Sequence, residues 1–166
     1  MGTSYEIVVE RFLHLVERDR EFFNYLEYMD EESMKITEQR AKNLLEEAAD
    51  LLMLRITPLA NAIDFTNYDS ENGCFNFDLT PREVQLLATV MYERYMHRDI
   101  AKLKCMSVNY TPTDLKVYDP SNARSTFLSM YRNVQADTDY LIDIYKNSDR
   151  NTGALIQVNY SAFDTE

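Results

Sequence analysis

The sequence contains few glycines and few histidines, and each shortage excludes a class of site. Three glycines in 166 residues are too few for a loop that cradles phosphate groups. The two histidines are His14 and His97. Helical carboxylate proteins that bind two metals use a Glu-x-x-His unit on each of two helices, and neither histidine follows a glutamate at that spacing. We therefore expect no metal site and no cofactor.

Nucleophilic catalysis also lacks its usual signatures. Cys74 and Cys105 form no CxxC pair and fall outside zinc-ligand spacing, so we expect two free thiols in a reducing compartment. The chain has no GxSxG elbow, and the sequence places no histidine beside either cysteine. Close carboxylates such as Glu46 and Glu47 are expected by chance in an acidic helical chain. We predict no enzymatic activity.

Basic residues and long apolar runs are scarce as well. The chain has 17 Lys and Arg against 28 Asp and Glu, a formal net charge of -11, which argues against a surface that grips nucleic acid. DNA that slides past without adhesion is compatible with this charge. No run approaches the roughly 20 apolar residues of a spanning helix. The start, MGTSYEIVVERFLHL, lacks the basic region of a secretory signal, so we expect no membrane association.

The residues that are abundant favour one folded domain with surfaces suited to binding other proteins. Apolar residues make up 45% of the chain, enough for a single sizeable core. Twelve Tyr and eight Met are many for this length, and both types are adaptable residues enriched at interfaces. Filling of the core is the other explanation for their number.

Apolar spacing predicts two helices in the first third of the chain. The first helix is expected to begin at Thr3, with Glu6 as its capping-box partner. Acidic residues in 27–33 indicate the start of the second helix. This helix is expected to end before Pro58, because the residue preceding a proline disfavours the helical conformation. The apolar stripes are Tyr5, Val9, Phe12, Val16, Phe23 and Leu26 in the first helix, and Ala41, Leu45, Ala48, Leu52 and Ile56, widened by Leu44 and Leu51, in the second.

Residues 59–79 are predicted to form a long loop, because they are rich in Asn, Asp, Ser and Gly. The loop also carries four aromatic residues, and we expect it to fold back on the core, since their exposure would create an apolar patch. Its acids do not match a calcium loop, because the position that should hold the leading Asp is occupied by a tyrosine. The aromatic residues are Phe65, Tyr68, Phe75 and Phe77.

Two further helices complete the predicted bundle. Thr80, Pro81 and Glu83 form a strong start signal for the third helix, which is apolar on nearly all sides from Val84 to Tyr95. We interpret its basic last turns as capping and solvation of the helix end; the residues concerned are Arg94, Arg98, Lys102 and Lys104. The fourth helix is predicted to start at Asp119 and Pro120, with Phe127, Tyr131, Val134, Leu141 and Tyr145 on its apolar face.

The C-terminal residues predict a short strand in an otherwise helical chain. Residues 149–153 favour a turn, and Ala154 to Tyr160 resemble a strand without an obvious partner. It could pair with a partner protein, fold back on its own loop near Cys74 to Phe77, or fray. The expected fold is all-α: a four-to-five-helix bundle in residues 1–149, with a long loop after helix two, and a β-like tail in residues 150–166.

The ordered segments "MYERYMHRDIAKLK", "VNYTPTDLKVYDPSNAR" and "FLSMYRNVQADTDYLIDIYKNSDRNTGALIQVNY" resemble a family of phage proteins. They look like head-to-tail adaptors, also called connector or head-completion proteins, of tailed phages from Gram-positive hosts. The likeness runs over about residues 4 to 160 and lies in the helix order and in phrases such as RDIAKLK and DRNTGAL. The long loop at 59–79 departs from the shorter adaptors.

The resemblance implies a structural virion protein at the phage neck, present in the host cytoplasm before assembly. Such proteins form a ring, typically dodecameric, under the portal protein, with a stopper or tail-completion protein on the other side, and genomic DNA passes through the channel without specific binding. A C-terminal segment often docks into the portal. Carried over to this chain, the docking contacts are Leu155, Ile156, Val158 and Tyr160.

Two other readings stay open at this point. The chain could be a cytosolic protein-binding module or phage regulatory protein that offers a helix face to one partner. A helical enzyme or metal protein is the reading that the residues favour least.

Overall fold

Helices dominate the computed structural model, which describes residues 2–16, 31–56, 63–109 and 120–156. The predicted helical character is confirmed, and a small two-stranded sheet accompanies it. In chain order the elements are α1 (Tyr5–Val16), α2 (Glu31–Ile56), β1 (Tyr68–Asp69), β2 (Cys74–Phe75), α3 (Pro81–Asn109) and α4 (Pro120–Lys146).

The helix α3 is the centre of the fold, because α1, α2 and α4 each pack against it. Its first half is buried on more than half of its circumference, as the sequence predicts. Each large apolar side chain removed from water there contributes about 1.5–3 kcal/mol. The buried apolar residues of α3 are Leu86, Leu87, Ala88, Val90, Met91 and Met96.

The stripes predicted for α1 and α2 face this central helix. In α1 the buried side chains are Tyr5, Val8, Phe12 and Val16, whereas Val9 is only partly buried. In α2 they are Leu44, Leu45, Ala48, Ala49, Leu52 and Ile56. The part of the first stripe that includes Phe23 and Leu26 lies outside the described residues.

The cap predicted for α1 is wrong by one residue. The Glu6 amide donates to Ser4 Oγ at 3.3 Å, so Ser4 caps the helix. Thr3 lies in an extended segment instead, and its Oγ1 accepts the Leu79 amide at 2.8 Å. The spacing from Thr3 to Glu6 matched a capping box, but pairing of the N-terminal segment with another part of the chain takes precedence over it.

That other part is a β-hairpin within the stretch predicted as a loop. β1 and β2 pair antiparallel, with Tyr68 opposite Phe75. The N-terminal segment lies on the other edge of β2: Phe75 N donates to Thr3 O at 2.9 Å, and Tyr5 N donates to Gly73 O at 2.9 Å. Gly73 has φ +62, a conformation that glycine adopts without strain. Strands of two residues show no alternation, so the sequence could not indicate them.

The aromatic residues of this region fold back on the core, as predicted. Phe65 and Phe75 are fully buried, and Tyr68 and Phe77 pack against the core cluster. Phe75 and Phe77 approach with ring centroids 5.5 Å apart. Residues 57–62, which would complete the predicted loop, lie outside the described part of the chain.

The interpretation of the basic cluster as helix capping is wrong for Arg94 and Arg98. The helix α3 continues to Asn109, so both arginines lie well inside it. Both pair with Glu47 of α2. The side chains of Lys102 and Lys104 lie outside the described set.

The helix α4 begins at Pro120, as predicted, and packs mainly against α3. Among the side chains of α4 that the structure describes, Thr138 and Ile142 are the most buried, while Leu141 and Tyr145 pack against the core from partly buried positions. The Thr138 hydroxyl donates to Val134 O at 2.7 Å, which satisfies that buried group within the helix.

Candidate functional site

The structure describes two of the four residues predicted as docking contacts. Leu155 and Ile156 are 69% and 62% exposed, respectively. Both follow α4 by about ten residues and lie beyond a tight turn. Val158 and Tyr160 lie outside the described residues, so the four-residue contact set stays a prediction.

The turn at residues 149–153 is confirmed, and its own side chains hold it. Asp149 Oδ1 accepts the amides of Asn151 and Thr152 at 3.1 and 2.8 Å, and the Thr152 hydroxyl at 2.8 Å. These hydrogen bonds keep the pKa of Asp149 below its usual value. Gly153 closes the turn with φ +68, and its amide donates to Asp149 O at 2.8 Å.

Beyond the turn, the chain pairs with the residues that end α4. The Asp149 amide donates to Ala154 O at 2.8 Å, and the Ile156 amide donates to Asn147 O at 2.7 Å. The first part of the predicted strand therefore finds a partner within its own chain. This geometry is antiparallel and leaves the side chains of Leu155 and Ile156 in solvent.

Pairing of these residues with the hairpin, one of the alternatives left open by the sequence, does not occur for residues 154–156. Both edges of β2 are occupied, by Tyr68 on one side and by Ser4 on the other. The tail segment instead starts at the end of α4, where the turn directs it.

A buried carboxylate lies beneath this turn. Glu83 is 0% exposed and accepts four hydrogen bonds. Its Oε1 accepts the Tyr145 hydroxyl at 2.8 Å and Arg150 Nε at 2.8 Å; its Oε2 accepts the Thr80 amide at 2.7 Å and Arg150 Nη2 at 3.1 Å. Arg150 Nη2 also donates to Asp78 O at 2.6 Å. One carboxylate thus joins the start of α3, the last turn of α4 and the tail.

Only the local half of this arrangement is predictable from the sequence. The reciprocal capping box is confirmed, since Glu83 N also donates to Thr80 Oγ1 at 3.3 Å. The partners Tyr145 and Arg150 lie more than 60 positions away along the chain. The sequence signal that could have pointed to them is an arginine just after a helix whose last turn carries a tyrosine, a pattern too common to be diagnostic.

The arrangement is suited to holding structure. Both oxygens of Glu83 are engaged and shielded from solvent, so the carboxylate offers no accessible site for proton exchange with a substrate. Burial and the hydrogen bond to Glu83 raise the pKa of Tyr145 well above its usual range. Tyr145 therefore stays a hydroxyl donor at neutral pH.

The charge of Glu83 makes stability depend on pH. Burial alone would raise the pKa of Glu83, but the bonds from Arg150, Thr80 and Tyr145 outweigh it and hold the pKa below its usual value. The unfolded chain then takes up protons first as pH falls, so this contribution is complete above the ordinary glutamate pKa of about 4.3 and is lost below it.

We expect the free energy of unfolding of the Glu83→Gln variant to decrease less between about pH 5 and pH 3 than that of the natural protein. At pH 7 the variant should have a lower free energy of unfolding than the natural protein, and this difference should become smaller as pH falls. Urea unfolding at a series of pH values measures this. Asp69 and Asp149, whose pKa values are also lowered, are present in both proteins and cancel in the comparison. A difference in the free energy of unfolding that stays constant across this pH range would contradict a charged Glu83.

A second buried carboxylate lies between α2 and α3. Glu93 is 2% exposed, and Arg55 donates to both of its oxygens at 2.7 Å. Asp139 of α4 lies 3.6 Å from the same guanidinium. Burial and the charge of Glu93 raise the pKa of the neighbouring Tyr131. This network connects three helices and ends at Asp139, whose side chain is 59% exposed on α4, whereas the first one ends at the tail.

The described residues form neither a metal-ligand cluster nor a membrane-spanning helix. Across the described segments, no three His, Cys, Asp or Glu side chains come close enough to hold a metal ion. His97 lies against the Tyr131 ring, with centroids 5.9 Å apart, and His14 is exposed on α1. Cys74 is a half-buried free thiol. None of the helices within these segments is both apolar and long enough to cross a bilayer.

Comparison of the chain with known protein families, with curated proteins and with solved structures finds no match.

Proposed function

We propose that this chain is a structural, non-catalytic protein of a tailed-phage neck, a head-to-tail adaptor that forms a ring under the portal protein. In this proposal the ring has about twelve copies, as the resemblance of the sequence implies, and a stopper or tail-completion protein binds its other side. The chain resides in the host cytoplasm before assembly and in the virion neck afterwards. The tail from residue 150 onward carries the contact with the portal.

The observation that carries the proposal is the presentation of Leu155 and Ile156. Two adjacent large apolar side chains, 69% and 62% exposed, lie on a segment that backbone hydrogen bonds hold in an extended form. Exposed apolar side chains on an ordered segment favour a protein partner, because burying each one on binding contributes about 1.5–3 kcal/mol. An extended segment can add to a partner's sheet edge or insert into a groove.

Two further features support it. The chain resembles head-to-tail adaptors in segments that cover much of the second half of α3, the connector before α4, most of α4 and the tail. The net charge of -11 suits a channel in which DNA must slide without adhesion. For the whole chain we infer a bundle of four or five helices in residues 1–149, a long connection after α2 and a β-like tail in 150–166.

The alternative is a cytosolic protein-binding module or phage regulatory protein without enzymatic activity. It is favoured by exposed apolar side chains on α4: Tyr140 is 66% exposed, Met130 44% and Ile144 37%. Their spacing of four and ten residues places them on one side of the helix. Such a face could bind one partner without any ring.

We expect the double variant Leu155→Ser with Ile156→Ser to lose binding to the portal protein of the same phage genome, by at least tenfold in Kd. Both side chains are already in solvent, so the helical circular dichroism and the melting curve should stay unchanged. Affinity is measured by biolayer interferometry with the full chain and the assembled portal.

Leu54→Ser is the matched control, because Leu54 is a similarly exposed apolar residue, at 77%, but belongs to α2 instead of the tail. The control should bind as the natural protein does. Full binding by the tail double variant would contradict docking through the tail. Loss of portal binding in a variant of the α4 face alone, such as Tyr140→Ser, would favour the alternative.

A further inference from the structure

Hydrogen bonds from one side chain join the C-terminal segment to α3 and to the residues just before it. The hydrogen bonds among residues 147–156 are otherwise local, between the end of α4 and the turn that follows it. Within the part of the chain that the structure describes, every hydrogen bond from residues 149–156 to α3 or to the segment before it comes from Arg150. Arg150 therefore decides how this segment is fixed against the bundle.

We propose that Glu83 and Arg150 form a two-state latch, called here the tail latch, that holds the segment 149–156 against the bundle; when the latch opens, the hydrogen bonds of the turn after α4 lose this support and open with it. Glu83 and Arg150 are positioning residues in this proposal. The contacts with a partner would be made by the segment that they hold.

The burial of Glu83 makes the latch all-or-none. A carboxylate that is 0% exposed keeps its charge because Arg150 supplies two of its hydrogen bonds. Without the guanidinium, the charge would be left without a counter-ion in a buried site, which is strongly unfavourable. Departure of Arg150 must therefore be accompanied by entry of water, and the latch has a closed state and an open state with little between them.

Opening of the latch would also weaken the contacts that organise the N-terminus of α3. Glu83 accepts the Thr80 amide and thereby completes the capping box, and Arg150 holds the Asp78 carbonyl just before it. When Arg150 leaves, the charge that organises this helix start is exposed to water. The tail and the N-terminus of α3 are thus coupled, and the coupling acts in both directions.

Gly153 is the residue that lets the tail take the latched position. A Cβ at this position would collide with the guanidinium of Arg82, the second residue of α3, so that this flexible side chain would have to move. Its φ of +68 is also one that other residues rarely adopt. The turn therefore passes close to the bundle surface just after Arg150, and the segment 154–156 leaves from a fixed point.

The consequence for a partner rests on the proposed function. A tail held in one direction loses less conformational freedom on docking than a free one, so the latch would favour binding. The latch itself can be tested without any partner.

The test is residue-resolved amide hydrogen exchange by NMR on the full chain. The double variant Glu83→Gln with Arg150→Gln removes both charges and leaves no buried ion behind. The readouts are the amides of Ile156 and Gly153, whose hydrogen bonds to Asn147 and Asp149 form the base of the tail. We expect both to exchange about ten to a hundred times faster, because charge-assisted hydrogen bonds are lost.

The matched control is Glu93→Gln with Arg55→Gln, which neutralises the other buried arginine–glutamate pair in the same way. It should lower stability without a selective effect on Ile156 and Gly153. Unchanged exchange at these amides in the Glu83→Gln, Arg150→Gln variant, or an equal rise in the exchange rate in the control, would overturn the latch.

Should the double variant fail to fold, Tyr145→Phe provides the second measurement. It removes one hydrogen bond to Glu83 and leaves both charges in place. A severalfold faster exchange at Ile156, larger than any change in the core amides of α3, is the expected result; exchange that rises only in parallel with α3 contradicts the proposal. A latch that is confirmed in a protein that ignores the portal would refute the proposed function alone.

Discussion

Replacing Met91 with aspartate is expected to abolish the folded state. Met91 is 0% exposed and belongs to the core cluster that joins α1, α2, the hairpin and α4 around α3. Loss of a buried methionine side chain costs about 2–5 kcal/mol, and an unpaired carboxylate in the same position adds several more. The total approaches the roughly 5–15 kcal/mol by which domains are usually stable.

Circular dichroism during heating measures this effect, and Leu54→Asp provides the control. Leu54 is 77% exposed on α2, so the same charge there should change stability by no more than about 0.5 kcal/mol. A Met91→Asp protein that melts cooperatively at the temperature of the natural protein would contradict the central position of α3.

Removal of the Arg55 side chain is expected to have the second largest effect. In Arg55→Ala, the carboxylate of Glu93, which is 2% exposed in the natural protein, loses both of its 2.7 Å hydrogen bonds. Breaking a buried pair from one side costs about 3–5 kcal/mol, because the remaining charge is uncompensated. For a chain of this length, that corresponds to a decrease in Tm of roughly 6–20 °C.

Arg98→Ala tests whether burial causes this effect. Arg98 also pairs with a glutamate of α2, but the side chains of Arg98 and Glu47 are 42% and 44% exposed. Exposed pairs contribute about 1 kcal/mol or less, so Tm should decrease by only a few degrees. Equal decreases for Arg55→Ala and Arg98→Ala would show that the Glu93 pair is not a buried ion pair.

The parts of the fold that the sequence predicts well are those with long periodic signals. The start of α3 follows from Thr80, Pro81 and Glu83, three residues with one consistent meaning. The burial of α3 follows from apolar residues on nearly all of its sides. In both cases the information lies within a few turns of one helix.

The parts that the sequence does not predict depend on pairing between distant segments. The hairpin has strands of two residues, and its second edge is taken by Thr3 to Tyr5, about 70 positions earlier. The capping role assigned to Thr3 was wrong for the same reason. The spacing of neighbouring residues does not show that the backbone of a distant segment will form hydrogen bonds with the same residue.

The candidate site shows both cases within a few residues. The turn at 149–153 was predictable, because Asp149 and Gly153 have the side chain and the backbone freedom that it needs. The ion pair between Arg150 and Glu83 was not, since each residue has an ordinary local explanation: a turn residue and a capping-box partner. Only the packing of α4 against α3 brings them together.

Negative-stain electron microscopy tests the central claim, that this chain is a ring-forming neck adaptor, most directly. The purified protein is imaged alone and after mixing with the assembled portal protein of the same phage genome. We predict monomers or small oligomers alone, and rings coaxial with the portal channel in the mixture. Portal particles that stay bare while the added chain remains monomeric would contradict the account and leave the protein-binding module as the better proposal.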